Sequence, residues 1–108
     1  MRRRIFDGAV VGEYGRPYTV TCRQRGSGIL DLSGYTTVSL TFAGPNSASG
    51  FTLSGSVVGD GTTGKIIWAF TAGQNLSVPG VWKAQVAFEK EGELTKSYVF
   101  YVRASEAL

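Results

Sequence analysis

Gly80-Val81-Trp82-Lys83-Ala84-Gln85-Val86-Ala87-Phe88-Glu89 alternates large apolar side chains with polar ones. Successive residues of a strand point to opposite faces, so Trp82, Ala84, Val86 and Phe88 share one side while Lys83, Gln85 and Glu89 share the other. At helical spacing the same residues would scatter around the axis. The stretch therefore reads as a half-buried strand with an apolar inner face.

Working outward, the same period recurs. Val38, Leu40 and Phe42 point inward against Ser39 and Thr41; Tyr18, Val20 and Cys22 point inward against Thr19 and Thr21; Ile66, Trp68 and Phe70 share a face. Tyr98, Val99, Phe100, Tyr101 and Val102 barely alternate, which predicts a last strand covered on both faces. Strands are expected near residues 5–11, 17–25, 36–43, 51–58, 64–70, 80–89 and 95–103. Glycine-rich turns separate them: Gly59-Asp60-Gly61-Thr62-Thr63-Gly64 reads as a tight connection and Glu89-Lys90-Glu91-Gly92-Glu93 as a charged hairpin tip. Gly44 to Gly50 is a longer polar loop. Gly26-Ser27-Gly28 precedes Ile29-Leu30-Asp31-Leu32, whose apolar residues are expected to dock on the core, and a short helical turn is expected at Ala72 to Leu76, before Pro79. About seven short strands with frequent turns predict an all-β sandwich or barrel with antiparallel pairing and Greek-key connections.

The 108 residues fit one domain, divided into a basic N-terminal arm and first strand (1–11), the sandwich (12–103) and a C-terminal tail (104–108). A hydrophobic fraction of 43% with 12% aromatics is enough for a packed core. No apolar run approaches the roughly 18 residues that span a bilayer, and Arg2, Arg3 and Arg4 lead into Ile5, Phe6 and Asp7 rather than a long apolar segment, so neither a membrane span nor a signal peptide is expected. Cys22 has no second cysteine to pair with in this chain. Of the net charge of +3, the first 25 residues carry six arginines against Asp7 and Glu13. The Arg2–Arg4 arm has the charge to meet nucleic acid, an anionic membrane or an acidic protein groove; a solvated chain end is the plainer reading.

Histidine is absent, which removes the commonest general base near neutral pH and the commonest metal ligand. A nucleophilic triad, the familiar zinc spacings and a Walker-type phosphate loop are all missing. The acids gather at turns, where Glu89, Glu91 and Glu93 read as a solvated cluster guarding an edge. No catalytic residue, metal or cofactor is expected, and the chain reads as a binding protein rather than an enzyme. Among the aromatics, Trp68 and Trp82 fall on inner faces, whereas Tyr14 and Tyr35 sit at strand ends in polar surroundings and are the candidate contact residues.

Gly12-Glu13-Tyr14-Gly15-Arg16-Pro17, Asp31-Leu32-Ser33-Gly34 and Pro79-Gly80-Val81-Trp82-Lys83-Ala84-Gln85-Val86, in that order, resemble the immunoglobulin-like N-terminal domain of phage baseplate upper proteins and related tail proteins. The resemblance spans residues 12–102. In that family the first group is usually Gly-Asp before a Pro-led strand, the second Asp-Leu-Thr-Gly, and the third Pro-Gly-x-Tyr-x-Ala. Here Glu13, Ser33 and Trp82 replace the usual Asp, Thr and Tyr, so a corner hydrogen bond from that tyrosine hydroxyl is not made. Baseplate proteins of this kind commonly continue into a receptor-binding region, so the likeness is to their anchoring module.

The resemblance implies an immunoglobulin-like sandwich serving as a non-enzymatic structural component of a phage or prophage particle, in a baseplate, tail or neck. Its partners would be other virion structural proteins and further copies of itself. Its location would be the virion, or the host cytoplasm before assembly. The rival expectation is a carbohydrate-binding module using Tyr14, Tyr35 or loop 44–50; nucleic acid ranks below protein as a partner, and no membrane contact is expected.

Overall fold

The computed structural model describes residues 5–24, 27–45, 50–90 and 93–106. Within them the chain forms β1 (Ile5–Val10), β2 (Pro17–Thr21), β3 (Arg23–Gln24), β4 (Ser27–Ile29), β5 (Thr37–Ala43), β6 (Phe51–Val57), β7 (Lys65–Ala69), β8 (Gly80–Lys90) and β9 (Glu93–Ser105), with no helix. The protein is all-β. Seven strands make one sheet in the order β1-β9-β8-β5-β6-β7-β2, and β3 and β4 form a separate two-stranded ribbon. The connections β5–β6, β6–β7 and β8–β9 join neighbours, while β2 to β5 and β7 to β8 cross over, as a Greek key requires.

The sheet folds back on itself at β6. Phe51 to Gly55 pair with β5, whereas Ser56 and Val57 pair with β7, so one strand belongs to both layers. Gly55 stands at the change of partner. A Cβ there would lie 2.9 Å from Leu40 Cδ1 and 3.1 Å from the Ile67 carbonyl oxygen, so a side chain at this corner would have to displace the Leu40 methyl and press on the β7 backbone. Because of this fold-back, Trp68 on β7 reaches across to Phe100 on β9, with ring centroids 6.0 Å apart, although three strands separate them in the sheet order.

The core is the inner face that period-2 alternation assigns. Val38, Leu40 and Phe42 on β5, Ile66 and Trp68 on β7 with Phe70 just beyond it, and Trp82, Ala84, Val86 and Phe88 on β8 are all buried. Phe42 touches Phe51, Trp68 and Phe70 with centroids 5.0 to 5.4 Å apart. No polar or charged residue is buried among those described. Each large apolar side chain removed from water contributes roughly 1.5–3 kcal/mol, and that burial holds a sheet closed without disulfides. Cys22 is fully buried, and Leu30 and Leu32 dock as expected, whereas Ile29, on the two-stranded ribbon, stays 45% exposed and does not.

Four features depart from the sequence expectation. The pairing is antiparallel except that β1 runs parallel to β9, with a break in register between Phe6 and Ala9. Expected strand 17–25 divides into β2 and β3. Residues 72–76 form no helical turn: Thr71 and Gln74 exchange backbone hydrogen bonds of 3.0 and 3.2 Å, and Asn75 Nδ2 donates to the Thr71 and Ala72 carbonyls, so a side chain closes the turn that a helix would have satisfied internally. β9 is not covered on both faces, since Val99 lies on the outer face at 39% exposure beside exposed Gln85, and it runs past the expected end to Ser105, with Ala104 buried.

Candidate interaction site at the β1–β2 turn

The turn from Val11 to Arg16 is tied down from several directions. Val11 N–H donates to the Ser105 carbonyl (2.9 Å), Gly12 N–H to Leu76 (3.0 Å), Glu13 N–H to Val10 (3.1 Å) and Gly15 N–H to Phe70 (2.9 Å). Side chains tighten it further. One oxygen of Glu13, Oε1, accepts from the Val10 N–H at 2.9 Å, from Arg16 Nη2 at 3.1 Å and from the Tyr18 hydroxyl. Arg16 Nη2 also donates to the Gly8 carbonyl at 3.0 Å and to the Tyr18 hydroxyl, and its guanidinium lies 4.7 Å from the Tyr18 ring centroid. Tyr18 in turn stacks on Trp68 at 4.9 Å and 15°, so the cluster is seated on the core.

Electrostatics follow from this geometry. Burial alone would raise the Glu13 pKa, but the hydrogen bonds from Tyr18, Val10 and Arg16 outweigh it and hold the carboxyl below the ordinary glutamate range. The Tyr18 hydroxyl is pushed up, first by burial and then by its bond to Glu13. Both shifts favour one state: an ionised glutamate receiving a proton-bearing tyrosine.

On this braced turn stands Tyr14, 63% exposed. Its backbone is fixed before any partner arrives, so contact through its ring costs little ordering entropy. Tyr35 is placed differently. It is half-buried, edge-on to Phe88 with centroids 6.2 Å apart, and Lys90 Nζ lies 5.7 Å from its ring. The two tyrosines are not brought together. Val11 is bonded to Ser105, near the Gly80 end of β8, and Thr36 N–H donates to Glu89 at the other end, so about 30 Å of strand separates them.

Arg2, Arg3 and Arg4 lie outside the described residues, as do residues 46–49 of the polar loop and 91–92 of the hairpin tip. Trp68 and Trp82 are in the core at 5% and 0% exposure, and Trp82 Nε1 donates to the Val78 carbonyl at 3.0 Å. Among the described residues no three His, Cys, Asp or Glu side chains converge as a metal site. The Glu13–Arg16–Tyr18 cluster was not anticipated. Its signal is a Glu and an Arg three apart across a glycine turn, followed by an inward tyrosine at the start of the next strand.

No family model matches the chain, and no curated protein matches it. Among solved structures, a candidate glycoside hydrolase from Bacteroides vulgatus ATCC 8482 is similar at 13% identity and a TM-score of 0.45, over 95% of this chain and 17% of the other. The chain thus spans 17% of that structure's length, and a likeness of this size carries no activity across.

Proposed function

We propose that this chain is a non-enzymatic assembly domain of a phage-like particle, in a baseplate, tail or neck, working through protein–protein contacts. The observation that carries the reading is Tyr14, an exposed aromatic on a turn locked by four backbone hydrogen bonds and the Glu13–Arg16–Tyr18 cluster. Rigid, amphipathic tyrosines are enriched where proteins meet, and this one lies within the Gly12–Pro17 motif that resembles the baseplate family. A carbohydrate-binding module could not use Tyr14 and Tyr35 in one site, since they stand at opposite ends of the sheet.

Size-exclusion chromatography with light scattering, on the chain mixed with the products of its neighbouring genes, tests this. A stoichiometric complex that Tyr14→Ala weakens about tenfold or more, with unfolding unchanged, is the expected result. No complex with any of those products would overturn it, as would saturable glycan binding lost in Tyr14→Ala.

A further inference from the structure

The sheet ends in two outermost strands, β1 and β2, and the molecule treats them differently. Unpaired backbone groups on an edge are a template for another strand, and proteins usually block them. On β1 the outer backbone groups of Gly8 and Val10 are taken up from within the chain. The Gly8 carbonyl takes Arg16, the Val10 N–H is held by the Glu13 carboxylate, the Val10 carbonyl takes the Glu13 N–H, and the register is broken between Phe6 and Ala9.

Among the described residues β2 has no comparable block. The phase of its ladder with β7 follows from Cys22, whose N–H donates to Gly64 at 2.7 Å. Counting back through the antiparallel register, Val20 and Tyr18 also turn their backbone groups toward β7, opposite Ile66 and Trp68. The far side of β7 gives the same phase, because Val58 N–H donates to the Lys65 carbonyl, which points that residue at β6. The Thr19 and Thr21 N–H and C=O groups, with the Pro17 carbonyl, therefore point away from β7, where no described strand lies. Pro17-Tyr18-Thr19-Val20-Thr21 has no charged residue, and its pairing with β7 is unbroken over all five positions.

We infer that β2 is a self-pairing edge: two copies of the chain join β2 to β2, antiparallel, about a two-fold axis at Thr19, continuing the sheet from β7 through both copies. The choice of a second copy rests on the donor pattern. With Thr19 opposite Thr19, each Thr19 N–H meets the other Thr19 carbonyl, and each Thr21 N–H meets the other copy's Pro17 carbonyl. Pro17, which lacks an N–H, falls opposite Thr21, so every outward donor of the strand finds an acceptor. The paired segments carry no charge to repel one another, and the exposed Thr19 side chains become cross-strand neighbours. This contact does not use Tyr14 and stands independently of any particle partner.

Sedimentation velocity on the full chain alone, from about 10 μM to about 1 mM, together with amide hydrogen exchange at both extremes, decides it. A dimer that fills with concentration is expected, with the Thr19 and Thr21 amides slowing about tenfold or more while those of Tyr18 and Val20 stay as they were. Thr19→Lys sets two like charges side by side at the axis on an exposed position, and should weaken the dimer about tenfold or more with the β-sheet circular dichroism retained; Thr19→Ser and Tyr14→Ala should leave it intact. A chain that is monomeric throughout, a dimer in which Thr19 and Thr21 exchange as fast as in the monomer, or a dimer indifferent to Thr19→Lys would each overturn the inference. None of these outcomes touches the Tyr14 contact, which is read in the mixed complex.

Discussion

Gly61→Ala tests whether residues 29–33 are a fixed part of the fold, resting on the β6–β7 turn. Gly61 is buried at φ +89°, and its carbonyl accepts the Leu32 N–H at 3.0 Å. A Cβ there would lie 2.5 Å from the Leu32 carbonyl carbon, 2.6 Å from its oxygen and 2.7 Å from Ser33 N, all backbone atoms that cannot rotate aside. Gly59 supplies an internal control, since it shares the left-handed conformation at φ +62° but a Cβ there meets nothing within 4 Å.

Alanine at 59 measures backbone conformation alone. The left-handed cost of about 1–2 kcal/mol is offset by about 0.4–1 kcal/mol from the stiffer unfolded chain, for a net loss of about 0.5–1 kcal/mol. Alanine at 61 adds an overpacking cost of about 1–3 kcal/mol, for a total of about 1.5–4 kcal/mol. Near this domain size each kcal/mol moves Tm by about 4–8 °C, so the two variants should unfold roughly 5–20 °C apart, with urea midpoints in the same order. If Gly61→Ala unfolds with Gly59→Ala, the Leu30–Leu32 segment does not rest on the turn and the reasoning fails.

Two further outcomes follow from the core and the turn. Trp82→Phe should cost at least about 1 kcal/mol more than Trp68→Phe in urea unfolding, because it strips the Val78 carbonyl of its donor, whereas the buried Trp68 Nε1 has no acceptor to lose; equal costs would show that the Val78 bond contributes nothing. For Glu13, whose folded pKa is lowered, the stabilisation is complete above the ordinary glutamate value of about 4.3 and disappears as pH falls through the folded value, so the gap in urea midpoint between the wild type and Glu13→Gln should close on acidification below that point. A gap that stays constant with pH would mean that the ionised carboxylate is not what braces the turn.

The faces of β5, β7 and β8 were legible because each is half-buried, and a period of two then writes burial directly into residue type: Trp82, Ala84, Val86 and Phe88 inside, Lys83, Gln85 and Glu89 outside. Pairing direction leaves no such mark. Ile5 to Val10 would read the same beside a parallel or an antiparallel neighbour, and only the path of the chain sets β1 alongside β9. Val99 misled for a related reason: an unbroken apolar run looks two-sided, yet its neighbour on the outer face is the exposed Gln85. Gly55 reads as a weak strand residue until the backbone on either side of it is seen to change layers.

The turn residues show how far composition can mislead about role. Glu13 and Arg16 look like ordinary solvated charges at a glycine turn, where an aspartate in place of Glu13 would look equivalent. In the folded chain they form an ion pair at 3.1 Å, and each also holds a backbone group of β1: Val10 N–H for Glu13, the Gly8 carbonyl for Arg16. An aspartate is one methylene shorter and would have to reach the Val10 N–H, Arg16 and Tyr18 from nearer its own backbone. The longer side chain is therefore tied to the closing of β1. With the Gly8–Val10 part of that edge occupied from within, and β2 neutral and regular over five positions, one short turn both displays Tyr14 and leaves β2 as the end at which we infer that the sheet grows.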